Sequence, residues 1–386
     1  MPVLPAYAQF GSLHWETGSF GHALAYMGAT APHTGEPYSE AMLFGLSRGI
    51  GCMYFAFEFE GQEPYFFFSP RQVKVGGDMV ADLCRRIGVS AHVLQTADRP
   101  EALTYLQRSL EEGVPVIIWA DRPRLPWGWA PAPAGPWMAP VLVYGLDQEG
   151  MAHVADRARV PLTCPVDELA AAWGAQANAI HKAVTLRVAP EPFDPGAAVA
   201  DAIRSCVDGF LSAPNAHFGL AALLKWADAV TDMDDRKGWP ALFKDERLLY
   251  TNLVRAFMYI ELEGTGGGAA RPLYADFLEE AADVLNRPEL RRAADRYREC
   301  GMLWTRLART FLPDRFRTTR EVLMQREARF RGAGLPGAEE GRRLDELAGQ
   351  VDLPDPAGLR AEVRRMLLEV HRAEQDAVLA LSESIH

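Results

Sequence analysis

The chain has 386 residues, 48% of them hydrophobic and 10% aromatic, a length that points to two domains with enough apolar side chains for real cores. A formal net charge of −11 argues against a general nucleic-acid binder. With no apolar run of membrane-spanning length and no secretory leader pattern, a soluble cytoplasmic protein with no membrane partner is expected.

In chain order, "LHWETGSFGHALAYMG" (13–28) opens the predicted elements. Phe20, Ala23, Leu24 and Met27 fall on one helical face, with Thr17 or Ser19 as the expected cap. "SEAMLFGLSRG" (39–49) predicts a short helix capped by Ser39. Strand-like runs follow at 52–59, 65–68, 92–96, 115–121, 140–147, 151–156 and 183–188. Residues 147–150 predict a hairpin turn ending on Gly150. The Pro- and Trp-rich stretch 122–140 predicts a rigid loop or a lid. "APEPFDPG" (189–196) reads as a domain boundary. Beyond it the pattern is helical to residue 330. An irregular Gly/Pro-rich interruption is expected over 331–358 and an amphipathic helix over roughly 357–383. The expected organisation is a domain over 1–190, a helical domain over 197–330, and a linker with a terminal helix over 331–386. That apolar terminal helix also offers a face for a homodimer.

Several residues carry chemistry. A helix N-terminus presents free N–H groups and a positive dipole end. At 13–28 this makes His14 a candidate acid/base, Glu16 a base or amine ligand, and Thr17 and Ser19 caps or hydroxyl nucleophiles. The plain alternative is capping alone. Asp156, at a strand end, could orient a histidine or cap a turn. Cys52 is a small core residue or a nucleophile. The five cysteines (Cys52, Cys84, Cys164, Cys206, Cys300) form no CxxC pair, and no His/Cys/acid group has ligand spacing, so neither metal nor another cofactor is expected. "GTGGGAARPLYADFLEEA" (264–281) could form an anion-binding nest or a flexible turn. Arg271, Tyr274, Asp276 and Glu279 stand in or just after it, where they could fix a phosphate or an amine. Between Leu285 and Arg331 lie thirteen arginines, no lysine and six acids, a net of +7. The Arg291–Arg320 part suits an acidic protein partner, or is a solvated face laced with ion pairs.

The long motifs resemble the butirosin-biosynthesis acyltransferase family. "HWETGSFGHALAYMG" and "SEAMLFGLSRGIGCMYF" resemble its N-terminal domain. "FGLAALLKWADAVTDMDDRKGWPALF" (218–243) and "GTGGGAARPLYADFLEEAADVL" resemble the helical domain of unknown function that often follows. The resemblance implies an α+β fold: a papain-like domain with a mixed or antiparallel sheet, then an all-α domain. It implies transfer of an aminoacyl group from an acyl carrier protein thioester to an amine, by a cysteine at the helix head, a histidine opening a later strand and an acid after the next one. Here Trp15 stands at the cysteine position, Trp137-Met138-Ala139-Pro140 where the histidine belongs, and only Asp156 matches. The leading expectation is an enzyme that forms an amide or a ring by positioning and general acid/base catalysis through His14 or Glu16. Trp15, Trp127, Trp129 and Trp137 would wall the substrate, and Arg271, Tyr274, Asp276 and Glu279 would hold its polar end. The alternative is an inactive member that binds a carrier protein or a partner enzyme.

Overall fold

The computed structural model describes residues 3–71, 79–128, 137–175, 180–188, 194–335 and 337–385. Trp129 and most of the expected boundary at 189–196 lie outside these residues. The fold is α+β, with both sheets in the first half and helices throughout the second.

Helix α1 (Trp15–Tyr26) and the Ser39-capped α2 (Glu40–Leu46) come first, followed by β1 (Ile50–Phe57) and β2 (Tyr65–Arg71). The remaining strands are β3 (Val89–Thr96), β4 (Val116–Asp121), β5 (Met138–Leu146), β6 (Met151–Ala155), β7 (Leu162–Pro165) and β8 (His181–Val188). These six form one sheet of order β3-β8-β4-β5-β6-β7, antiparallel at every junction. β5 is buried from Ala139 to Leu146, which is why its run "APVLVYGL" shows no polar alternation. The β5–β6 turn is the expected hairpin. Asp147 accepts the N–H groups of Glu149 and Met151, each at 2.9 Å, and Gly150 takes a φ of 79°. Three helices and one strand had no clear pattern: α3 (Met79–Ile87), α4 (Arg99–Glu111), β7 and α5 (Val166–Trp173).

β1 and β2 do not join that sheet. They pair with each other, and their buried rings Tyr54, Phe66 and Phe68 pack against Trp226, Trp239 and Trp304 of the helical half. The helical half comprises α6 (Pro195–Leu211), α7 (Gly219–Thr231), α8 (Trp239–Leu242), α9 (Glu246–Glu261), α10 (Arg271–Leu285), α11 (Glu289–Phe311) and α12 (Arg317–Ala333). The interruption expected over 331–358 contains a helix, α13 (Ala338–Ala348), whose polar sequence offers Leu344 as its one buried large apolar side chain. The final helix, α14 (Pro356–Ile385), buries Val363, Met366, Leu367, Val370, Ala377, Val378 and Leu381, and packs on α11, α7 and α6. The apolar face that suggested a dimer is therefore used inside the chain. Among the described residues no helix is long and apolar enough to cross a membrane.

Candidate functional site

The first turn of α1 is capped by His14 rather than by Thr17 or Ser19, both of which lie buried inside the helix. His14 has extended backbone angles (φ −111°, ψ 140°), and its Nδ1 accepts the Thr17 N–H at 3.4 Å. An Nδ1 that accepts leaves the proton on Nε2, which donates to Glu16 at 2.8 Å. Burial pushes the His14 imidazole down, toward the neutral form. Burial resists ionisation of Glu16, but the pairing with His14 and the nearby Arg71 guanidinium outweigh it and bring the carboxyl to about 2. Glu40 closes the same turn from α2: its carboxylate accepts the N–H groups of Leu13 and His14, at 2.9 and 2.7 Å.

Trp15 projects from this turn into a shell of opposite charges. One side of the indole lies on Gly264, where an added Cβ would meet the ring at 3.0 Å. The guanidinium groups of Arg122 and Arg157 lie 5.1 and 5.5 Å from the ring centroid, and Phe330 of α12 packs against the same two arginines. Arg122 binds both oxygens of Asp156, at 3.1 and 2.9 Å. Asp156 also accepts from Trp127 Nε1 at 3.0 Å and from the Arg157 N–H at 2.7 Å. Burial opposes ionisation of Asp156, yet Arg122 and Arg157 hold its carboxyl below the usual range. Arg157 in turn grips Glu327 of α12 with two nitrogens, at 2.5 and 3.3 Å. Trp137 stands aside from this shell. Its backbone N–H donates to Asp121 at 2.7 Å and its ring tilts against Tyr259, 5.3 Å away.

The glycine stretch meets this site at its start only. Gly264 supports Trp15 and Gly266 touches Leu13. Arg271 points into the core, fully buried. Its Nε binds Glu374 of α14 at 2.6 Å, Nη1 donates to the carbonyls of Ala269 and Pro70, and Nη2 to that of Gly51 and to Cys52 Sγ. A guanidinium committed to five protein acceptors has no N–H left for a substrate. Tyr274 is also fully buried, against Gly49 and Tyr297. Asp276 and Glu279 form surface ion pairs with Arg298. These four residues do not converge on Trp15, because the turn after Ala270 directs α10 into the helical core. Cys52 is buried with its thiol pushed up to about 12, chiefly by burial, which removes it as a nucleophile.

Ion pairs neutralise six of the thirteen arginines in the arginine-rich segment. Arg291, Arg298, Arg306, Arg317, Arg320 and Arg329 each have an acidic partner. Arg292 and Arg296, one turn apart on α11, are exposed and have no such partner among the described residues. Among the described residues no cluster of three His, Cys, Asp or Glu could hold a metal ion. The residues that sequence reasoning missed are Arg122, Arg157, Glu40 and Glu327. Only Arg122, next to a strand end in "ADRPR", carried a local hint.

Residues 14–157 match the family model described as Butirosin biosynthesis protein H, N-terminal. Residues 167–330 match the one described as Domain of unknown function (DUF4872). No curated protein matches the chain.

Proposed function

Because the chain belongs to the butirosin biosynthesis protein H-like family, with the N-terminal domain followed by the domain of unknown function, we propose that it serves antibiotic-type natural-product assembly by binding an acyl or aminoacyl intermediate without forming an acyl-enzyme. The first domain is read as papain-like, with Trp15 filling the place of the thiol. The observation that carries this reading is the pair of commitments at the site: Trp15 held on Gly264 beneath two arginines, and Asp156 bound by Arg122. An indole N–H is only a donor and cannot carry an acyl group. An Asp156 already satisfied by a guanidinium has no imidazole to orient.

The geometry also favours binding over proton transfer. A general base works best with a pKa near the working pH. Glu16 lies far below that, and both His14 ring nitrogens are engaged. A half-buried carboxylate that stays ionised suits the ammonium end of an aminoacyl group. An acidic carrier protein delivering that group would meet α11 at the unpaired Arg292 and Arg296.

The test incubates the protein with a panel of aminoacyl thioesters and amines and reads intact mass and product together. Saturable binding is expected, weakened at least tenfold in Glu16→Gln, with neither an adduct on the protein nor a product. An acyl adduct, or turnover above the rate without protein, would overturn the reading.

A further inference from the structure

Around Trp15 several buried N–H groups have no acceptor among the described residues. Among the described residues Trp15 Nε1 and Arg157 Nε are buried and contact no acceptor, and Arg331 Nε on α12 is in the same condition. These groups lie together. The Arg157 guanidinium carbon is 5.5 Å from the Trp15 ring centroid, and the Arg157 and Arg331 charges oppose each other. Arg122, 5.1 Å from the same ring, uses only Nη1 on Asp156. A buried donor without an acceptor forfeits the hydrogen bonds it made to water, so several gathered at one place call for an explanation.

The acids facing the cluster do not supply the missing acceptors. Asp156 and Glu327 are held by Arg122 and Arg157. Glu16 faces His14, and Glu40 faces the N–H groups of Leu13 and His14. Glu263 makes no ion pair among the described residues; burial pushes its carboxyl up, against the opposing pull of the nearby Arg122, Arg157 and Arg326 guanidinium groups. The surplus is one of donors beside arginine charge, which matches a ligand that is rich in oxygen and negative.

We propose that the N–H groups of Trp15, Arg157 and Arg331 form a binding site for an oxyanion, a carboxylate or a phosphate. It opens toward solvent where Trp15 and Arg331 are half-buried. The inference rests on the proposed function only in placing a ligand at Trp15.

The test titrates the full chain with inorganic phosphate and, separately, with acetate, by calorimetry in a buffer free of other oxyanions. Trp15→Phe keeps an aromatic ring and removes its N–H; Arg331→Gln removes a charge from a half-buried position. Saturable binding of at least one anion is expected, at least about tenfold weaker in both variants, a change of about 1.4 kcal/mol. Phosphate alone would identify a phosphate site, and acetate alone a carboxylate site. If circular dichroism shows Trp15→Phe unfolded, Arg331→Gln carries the test. No saturable binding of either anion, or wild-type affinity in every folded variant, overturns the proposal. Aminoacyl thioester binding, read on the same samples, shows whether the broader functional reading stands when the oxyanion site fails.

Discussion

His14 takes the place that serine, threonine or aspartate usually occupies at a helix start, and it does so with a group that titrates. His14→Asn, which can accept the same Thr17 N–H, should leave stability within about 0.5 kcal/mol, whereas His14→Leu should cost about 1 kcal/mol or more. Urea unfolding of both variants checks this. The pH response has a definite sign. Burial lowers the pKa of His14 and of His22, so the folded chain holds them neutral where the unfolded chain takes up protons, starting near pH 6.5. Their contribution is complete above that pH and is lost as pH falls through their folded values. Glu16, brought to about 2, adds a second loss that begins below pH about 4.5. Melting temperatures between pH 8 and 4 should therefore fall on the acid side, and His14→Asn should flatten the first part of that fall. A flat wild-type profile down to pH 5 would contradict the neutral, buried His14.

At the scale of elements, the glycine stretch is a close-packed joint rather than a loose turn. Gly268 has a φ of 54°, and an added Cβ would stand 2.8 Å from the carbonyl oxygen of Gly301 on α11. Left-handed backbone costs a side chain roughly 1–2 kcal/mol, and overpacking adds roughly 1–3 more. Gly268→Ala should therefore lose about 2–5 kcal/mol in denaturant unfolding. Arg292→Glu with Arg296→Glu should instead leave stability nearly unchanged and weaken binding to an acidic carrier protein, by a factor that shrinks as salt rises. Equal binding before and after this charge reversal would remove α11 from the proposed function.

Every strand but β7 was legible as an apolar run, and α2 was legible from its cap. What β1 and β2 pack against was not, because a two-residue period marks a buried face without naming its partner. α13 escaped notice because its polar sequence buries so little. Trp15 was legible as a substitution within a motif. Its surroundings were not, since Arg122 meets Asp156 across 34 residues and Arg157 meets Glu327 across 170.

At the scale of the molecule, the two matched regions are built into one another. β8, from the second region, lies between β3 and β4 in the large sheet, and β1 and β2, from the first, pack in the helical core. α14, beyond both regions, supplies Glu374, which is fully buried between Arg271 at 2.6 Å and Trp304 Nε1 at 2.6 Å. Arg271 in turn holds the carbonyls of Gly51 and Pro70 from the first region and of Ala269 from the glycine stretch. One carboxylate thus balances the cation on which three segments converge. Removing one charge of a buried pair leaves the other uncompensated, at a cost of about 3–5 kcal/mol. Glu374→Gln preserves the shape of the side chain and removes only that charge. It should lower the urea midpoint by an amount corresponding to that cost without changing the slope. It should also speed thiol labelling of the five cysteines, all buried in the native chain. If Glu374→Gln lost less than about 1 kcal/mol, the terminal helix would be an accessory cover; the geometry of Arg271 predicts that it is part of the core.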